Sequence, residues 1–287
     1  MNRPVLPHAV RPILALCIVA GTLFGAENMA SREQSLPPTQ APLNTTDPAS
    51  ANRTIADLKL DLIWIKPGTF KMGSEPDEPE RNQAEGPVMK VILTKGFWIG
   101  RTEMTQGQYE AIIGINPSHF PEVGKDAPVE NVSWTDAMEF CAKLNARERA
   151  AGRLPDGYAY TLPTEAQWEY AYRAGTTSAY PGTPDTMGWN AKNSGETTHP
   201  VGQKQASPWG LYDMAGNVLE WCYDWYGPYP GGAQTDPTGP RSGSFHMARG
   251  GSWRMEPRIN RSAERAGGST GRRDYTLGFR LALCPVR

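Results

Sequence analysis

The chain has 287 residues, enough for one large domain or two small ones. A net charge of −1 argues against a general nucleic-acid binder, and 30 Gly with 26 Pro point to a loop-rich domain of short elements.

Arg3 and Arg11 precede an apolar run from Ile13 to Phe24, and small residues follow. A basic start, roughly 7–15 apolar residues and then small ones form the pattern of an export signal, and the run is short for a bilayer span. Residues 1–30 are therefore read as a signal cleaved within residues 25–31, which places the mature protein in the periplasm or outside the cell. The alternative is an uncleaved anchor, the only membrane contact expected. A lipoprotein Cys17 is disfavoured by the bulky Leu16 before it. Residues 31–54 are rich in Ser, Pro, Thr, Asn and Gln, which cannot bury enough surface to offset ordering entropy, so they read as a disordered tether. The folded domain is expected over residues 55–287.

Leu58, Leu60 and Leu62 alternate with polar residues, predicting a strand that runs through Ile65 into a turn at Pro67-Gly68. Phe70 to Gly73 continues as a short strand. Glu75, Asp77, Glu78, Glu80 and Glu85 form an acidic loop that reads as solvated. Val88 to Ile99 reads as a hairpin with Thr94-Lys95-Gly96 at its tip, and a short helix is expected from Thr105 to Ile113. Ser133 caps a helix carrying Met138, Cys141, Leu144 and Asn145 on one stripe and fading near Gly152. Thr164, with Gln167 as reciprocal partner, caps another that should stop at Gly175. Beyond it no long helical period appears, and Trp189, Trp209, Trp221, Trp225 and Trp253 punctuate Gly/Pro-rich stretches.

If Cys17 leaves with the signal, Cys141, Cys222 and Cys284 remain, and an odd count allows one disulfide at most. Cys141 reads as a small buried hydrophobe, and Cys222 with Cys284 is the pair considered. No Cys/His spacing suggests zinc.

Seven segments carry a resemblance. They are Ile65 to Gly73, Phe97-Trp98-Ile99-Gly100, Glu103-Met104-Thr105, Pro128 to Trp134, Leu162 to Glu169, Gly210 to Trp221, and Arg249-Gly250-Gly251-Ser252-Trp253 with its closing Leu277-Gly278-Phe279-Arg280. In this order, over residues 58–284, they resemble the formylglycine-generating-enzyme (sulfatase-modifying factor) family. The resemblance implies an α+β, C-type-lectin-like fold, loop-rich, with a small twisted antiparallel sheet and a few helices.

The resemblance also implies calcium. In the family the loop matching 213–220 wraps that ion, which assigns it to Asp213 (carbonyl or side chain), the Gly216 and Val218 carbonyls and the Glu220 carboxylate. Calcium takes six to eight oxygens, and Gly216 permits the necessary bend. The plain alternative is that Glu220 forms a cap or salt bridge in a loop packed by Trp221. Asn193 and Ser194 carry traces of a second family site.

The family's aerobic oxidases hold copper(I) between two thiolates after Gly-Gly-Ser, a ligand pair suited to that soft ion. Met255 and Ile259 or Asn260 stand at those positions, and no cysteine lies between Cys222 and Cys284. Copper is accordingly not expected. The family's sulfur-inserting iron enzymes use a His-rich motif, whereas His8, His119, His199 and His246 are scattered. In the same stretch nine arginines (241, 249, 254, 258, 261, 265, 272, 273 and 280) face Glu256, Glu264 and Asp274. Arg280 reads as internally paired. The others read either as solvated surface or as a grip for an anionic or peptide-like ligand in a cleft walled by Trp253 and Trp221, with Ser252, Trp253, Met255, Asn260 and Arg261 as candidates.

Three functions follow. The first is a ligand-binding or accessory domain, or a display protein variable between Trp253 and Leu277. The second is a cysteine-independent oxidase, similar to the periplasmic member that matures a siderophore chromophore. The third is a protein-cysteine to formylglycine oxidase of sulfatases, which the missing thiolates oppose.

Overall fold

Strand β12 (Ala282–Pro285), at the C-terminal end of the domain, lies inside a five-stranded antiparallel sheet and not at its edge. The computed structural model describes residues 51–286, so the predicted signal and nearly all of the tether lie outside the described residues. In that first sheet β1 (Arg53–Ile55) pairs with β2 (Leu60–Ile65), β2 with β5 (Phe97–Gly100), β5 with β12, and β12 with β6 (Tyr158–Thr161). Leu60 and Leu62 pack from one face of β2 into one hydrophobic cluster, and Ile63 and Ile65 pack from the other face into a second, so the strand is covered on both sides.

A second sheet runs in the order β10 (Ala266–Gly268), β9 (His246–Arg249), β7 (Leu219–Trp225), β11 (Leu277–Phe279). Its β7–β11 pair is parallel and sets Glu220 beside Gly278 and Trp221 beside Phe279. The two distant motif blocks thereby become neighbours. Gly278 is needed there because a Cβ would run into the Val129 carbonyl. A third sheet joins β3 (Gly68–Met72), β4 (Met89–Leu93) and β8 (Ala233–Thr235), with β4–β8 parallel. The expected single small sheet is therefore three, mostly antiparallel.

The hairpin expected over Val88 to Ile99 does not form. β4 pairs with β3 and β8, while β5 pairs with β2 and β12. The reason is burial. Phe97, Trp98 and Ile99 are all wholly enclosed, so β5 needs neighbours on both edges and cover on both faces.

Helix starts follow their caps. Thr105, Ser133 and Thr164 each accept from the amide three residues on, and Gln108, Asp136 and Gln167 bond back. These caps open α1 (Gln106–Ile113), α2 (Trp134–Ala150) and α3 (Glu165–Arg173), with α3 ending at a left-handed Ala174, one residue before the expected Gly175. A single further turn, α4, spans Pro184–Met187. Tyr109, Phe140 and Phe279 pack ring on ring between α1, α2 and the second sheet. Cys222 is a buried thiol, so the considered pair with Cys284 is not formed; Cys284 Sγ instead meets the Gln167 amide at 3.5 Å.

Candidate functional site

Three of the arginines considered for the cleft, Arg249, Arg261 and Arg265, are interior. Arg249 is enclosed between Glu165 and Glu169, and Arg265 donates from Nε and Nη2 to Glu165 at 2.6 and 2.9 Å. Arg261, 2% exposed, donates to Glu85 (2.5 and 2.7 Å), Glu78 (2.9 Å), Glu264 (2.7 Å) and the Glu80 carbonyl (2.8 Å). Its donors are spent, which removes it from the ligand-gripping set. The acidic loop is likewise not simply solvated, because Arg261 ties Glu78 and Glu85 to the segment that follows Gly-Gly-Ser. Arg272 and Arg273 pair with Asp274 and Asp136 near the surface. Arg254 is exposed, and its guanidinium lies over the Tyr275 ring and donates to the Tyr275 hydroxyl.

Arg254 stands at the mouth of a cavity of about 420 Å³. Trp253, Phe120, Tyr275 and His119 wall it, and Ser194 and Glu196 complete the lining. Phe120 meets Trp253 edge to face at 5.4 Å, Trp253 tilts on Tyr275 at 5.9 Å, and His119 lies 5.3 Å from Tyr275. Trp253 is fixed by three hydrogen bonds. Its Nε1 donates to Tyr275 O (3.2 Å), its amide to Asn217 O (2.8 Å), and its carbonyl accepts from Ser194 Oγ (2.8 Å). Such a box offers stacking faces plus one cationic edge, suited to an aromatic or anionic group.

Trp253, one of the two expected walls, lines this cavity. Trp221 does not, being wholly buried with its Nε1 donating to Val132 O at 3.0 Å. The expectation of a second tryptophan wall is corrected: Phe120 and Tyr275 supply that surface. Ser252 is wholly buried, with its hydroxyl unpartnered in the structure. Met255 packs against the larger hydrophobic cluster. Asn260 is wholly buried; its Nδ2 donates to Ala215 O at 2.5 Å and its Oδ1 has no partner. The positions that carry the family's thiolates therefore hold a half-buried thioether and, at the second, either half-buried Ile259 or the packed Asn260 amide.

In the 213–220 loop Asp213, Gly216 and Asn217 all have positive φ (58°, 141° and 62°), the sharp bend that was expected. Asp213 Oδ2 accepts from the Gly202 amide at 2.7 Å, while Oδ1 is buried and unpartnered. Glu220 is engaged by Arg280, which donates from Nε and Nη2 at 2.9 and 2.8 Å, and by Trp168 Nε1 at 2.7 Å. The carboxylate assigned to calcium therefore already has a cationic partner. Glu103, wholly buried, accepts from the Val218 amide (2.9 Å) and Asn217 Nδ2 (2.7 Å). Burial, with Asp213 and Glu220 close by, pushes Glu103 well above the carboxylate range. Burial likewise raises Asp213, to about 6. Asn193 turns its amide inward, accepting from the Asn190 amide at 2.8 Å and donating to the Asp185 and Gly188 carbonyls. Among the described residues no group of three or more His, Cys, Asp or Glu side chains could hold a metal ion.

A family model described as the sulfatase-modifying factor enzyme 1-like domain matches residues 48–284. The chain is 31% identical over 251 residues to the chaperone protein LppX of Paenibacillus barcinonensis, covering 71% of this chain and 81% of LppX. It is 38% identical over 252 residues to serine/threonine-protein kinase pkn1 of Chlamydia caviae, of which it spans 38% of the length. Treponema denticola variable protein 1 superposes with a TM-score of 0.72 at 33% identity, covering 82% of this chain and 99% of that one. PvdO from Pseudomonas aeruginosa superposes with a TM-score of 0.67 at 25% identity, covering 82% and 98%.

Proposed function

The chain belongs to the sulfatase-modifying factor family, and we propose that it serves there as a ligand-binding or accessory member whose aromatic box grips an anionic or peptide-like partner. The observation that carries this reading is the cavity itself: Trp253, Phe120 and Tyr275 offer ring faces beside Arg254, while Met255 and Asn260 supply no thiolate. A relative named as a chaperone supports an accessory role. A cysteine-independent oxidase that tailors a small molecule is the second reading, drawn from the family resemblance of the ordered motifs. Formylglycine formation through copper is the least supported, because two thiolates are needed to fix copper(I) beside a substrate thiol.

The test uses 2-naphthoate, an aromatic anion, against its neutral amide. The full chain is expected to bind the anion more tightly, and equal affinity for both would remove Arg254's role. A sulfatase-derived cysteine peptide, incubated with the chain and copper, is expected to keep its mass. Aldehyde above a no-protein control would restore the oxidase reading.

Calcium at the 213–220 loop is part of the proposal. Asp213, with one bare oxygen, and the Gly216 and Val218 carbonyls are the donors available, and the ion would have to share Glu220 with Arg280. Export is proposed as well, on the signal pattern of residues 1–30; the mature N-terminus, read by mass spectrometry, is expected within residues 25–31.

A further inference from the structure

The strap that carries His119 and Phe120 runs between two glycines of positive φ, Gly114 (φ 94°) and Gly124 (φ 107°). Side chains from below hold it. Gln106 Nε2 donates to Phe120 O at 3.0 Å, and Asn131 Nδ2 donates to Pro117 O at 2.9 Å. The Asn131 amide also donates to Asp274 O at 3.0 Å, so residues 130–131 tie the strap to the Tyr275 wall.

Glu130 is the third tie, and its environment is uneven. The side chain is wholly buried. Oε1 accepts from the Phe120 amide at 2.9 Å, whereas Oε2 is buried with no hydrogen-bond partner. A carboxylate left with a bare oxygen loses hydration without replacement. A neutral carboxyl suits the same geometry, with Oε1 as the accepting carbonyl and the proton on Oε2. The charged neighbours agree. Glu122 on the strap and Asp274 on the facing wall are both acidic, and Asp274 is paired with Arg272 at 2.9 Å. His119 is the other titratable group on the strap.

We propose that Glu130 is a proton-operated latch for the aromatic cavity: protonated, it keeps the strap of residues 115–123 closed, and ionised, it lets the strap open so that water reaches the carboxylate. Glu130 is thus a positioning residue that acts through Phe120 and His119. Its bearing on ligand binding rests on the reading of this cavity as a ligand site, but its first consequence needs no ligand. Burial raises Glu130 to about 7, whereas an opened, hydrated glutamate titrates at about 4.3. The closed state therefore holds the proton more tightly. Opening is favoured as pH rises between those two values, and the effect levels off above the upper one.

Hydrogen exchange of the full chain, with each rate divided by the intrinsic rate at that pH, tests this directly. Protection of residues 117–121 is expected to fall by up to about tenfold per pH unit from pH 5 to 7 and then level off. E130Q, neutral at every pH and still able to accept from the Phe120 amide, should show no fall; H119Q should keep it. In parallel, affinity for 2-naphthoate should decline with rising pH in the parent and stay flat in E130Q. A flat profile in the parent, an unchanged slope in E130Q, or a slope lost in H119Q overturns the latch. If 2-naphthoate fails to bind while the exchange step persists in the parent and vanishes in E130Q, the latch stands and the ligand reading alone falls.

Discussion

Arg280 and Glu220 face each other as a bidentate pair, wholly buried, 2.8 and 2.9 Å between their atoms. The pair clasps two strands that run in parallel, β7 and β11, and so joins the Gly-Phe-Arg motif to the loop at 213–220. Arg280 also donates to the Gly100 and Tyr212 carbonyls, each at 2.8 Å, which carries the clasp into the first sheet. The same loop sets Trp253 through Asn217, so the clasp supports the cavity from behind.

Removing one partner of such a pair leaves a buried charge uncompensated, at a cost of about 3–5 kcal/mol. Arg280→Ala is therefore expected to lose about that much in urea unfolding. Arg273→Ala breaks an exposed pair with Asp136 and should lose no more than about 1 kcal/mol. Comparable losses in both variants would mean that burial of the clasp contributes nothing.

Arg254 and Arg261 should separate binding from folding. Arg254→Ala removes an exposed side chain, so stability should shift by no more than about 0.5 kcal/mol while 2-naphthoate affinity falls by about tenfold. Arg261→Ala uncovers Glu85 and Glu264 and should lower the melting temperature sharply. Undiminished binding by Arg254→Ala would count against the cationic edge of the box.

Calcium can be tested at Asp213 without disturbing the Arg280 clasp. A ligand that binds only the folded state at 100 times its dissociation constant adds about 2.7 kcal/mol. Calcium is expected to raise the melting temperature of the chelator-treated parent and to do so much less in Asp213→Asn. An equal rise in both, or none in the parent, removes the ion from this loop.

Glu85 and Glu264 share Arg261 yet titrate in opposite directions. Burial works against ionised Glu85, but Arg261, Ser74 and the Asn82 amide outweigh it and hold Glu85 down to about 2. Burial and the nearby Glu85 push Glu264 up to about 7. A raised carboxyl contributes stability that is full below its unfolded value and lost as pH rises through its folded value. Glu264→Gln should therefore gain on the parent between about pH 4.5 and 7, and melting curves across that range give the check. A difference that does not grow with pH would show that Glu264 is ionised throughout.

Caps and turns were legible from the sequence because their partners are three residues apart. Ser133 and Thr164 need only the next turn of chain to form their boxes, and Thr105, expected as the first residue of its helix, proves to be a cap of the same kind. The ordered motifs likewise announced the α+β, lectin-like fold and the bend at Gly216, and the internal pairing of Arg280 was expected in kind.

The rest depended on where distant segments meet. Arg261 and Arg254 read alike along the chain, but the acidic loop folds over only one of them. Trp221 and Trp253 read alike as walls, and sheet packing sent one into the core. Phe120, Glu130 and Tyr275 gave no local sign of a shared site, since the cavity exists only where the strap, the segment after Gly-Gly-Ser and the loop before β11 converge. Hydrogen bonds between near neighbours are fixed by the local backbone, so sequence alone determines them. Burial, and with it the choice of charge partner, is set by segments far apart in the chain, and only the tertiary structure decides it.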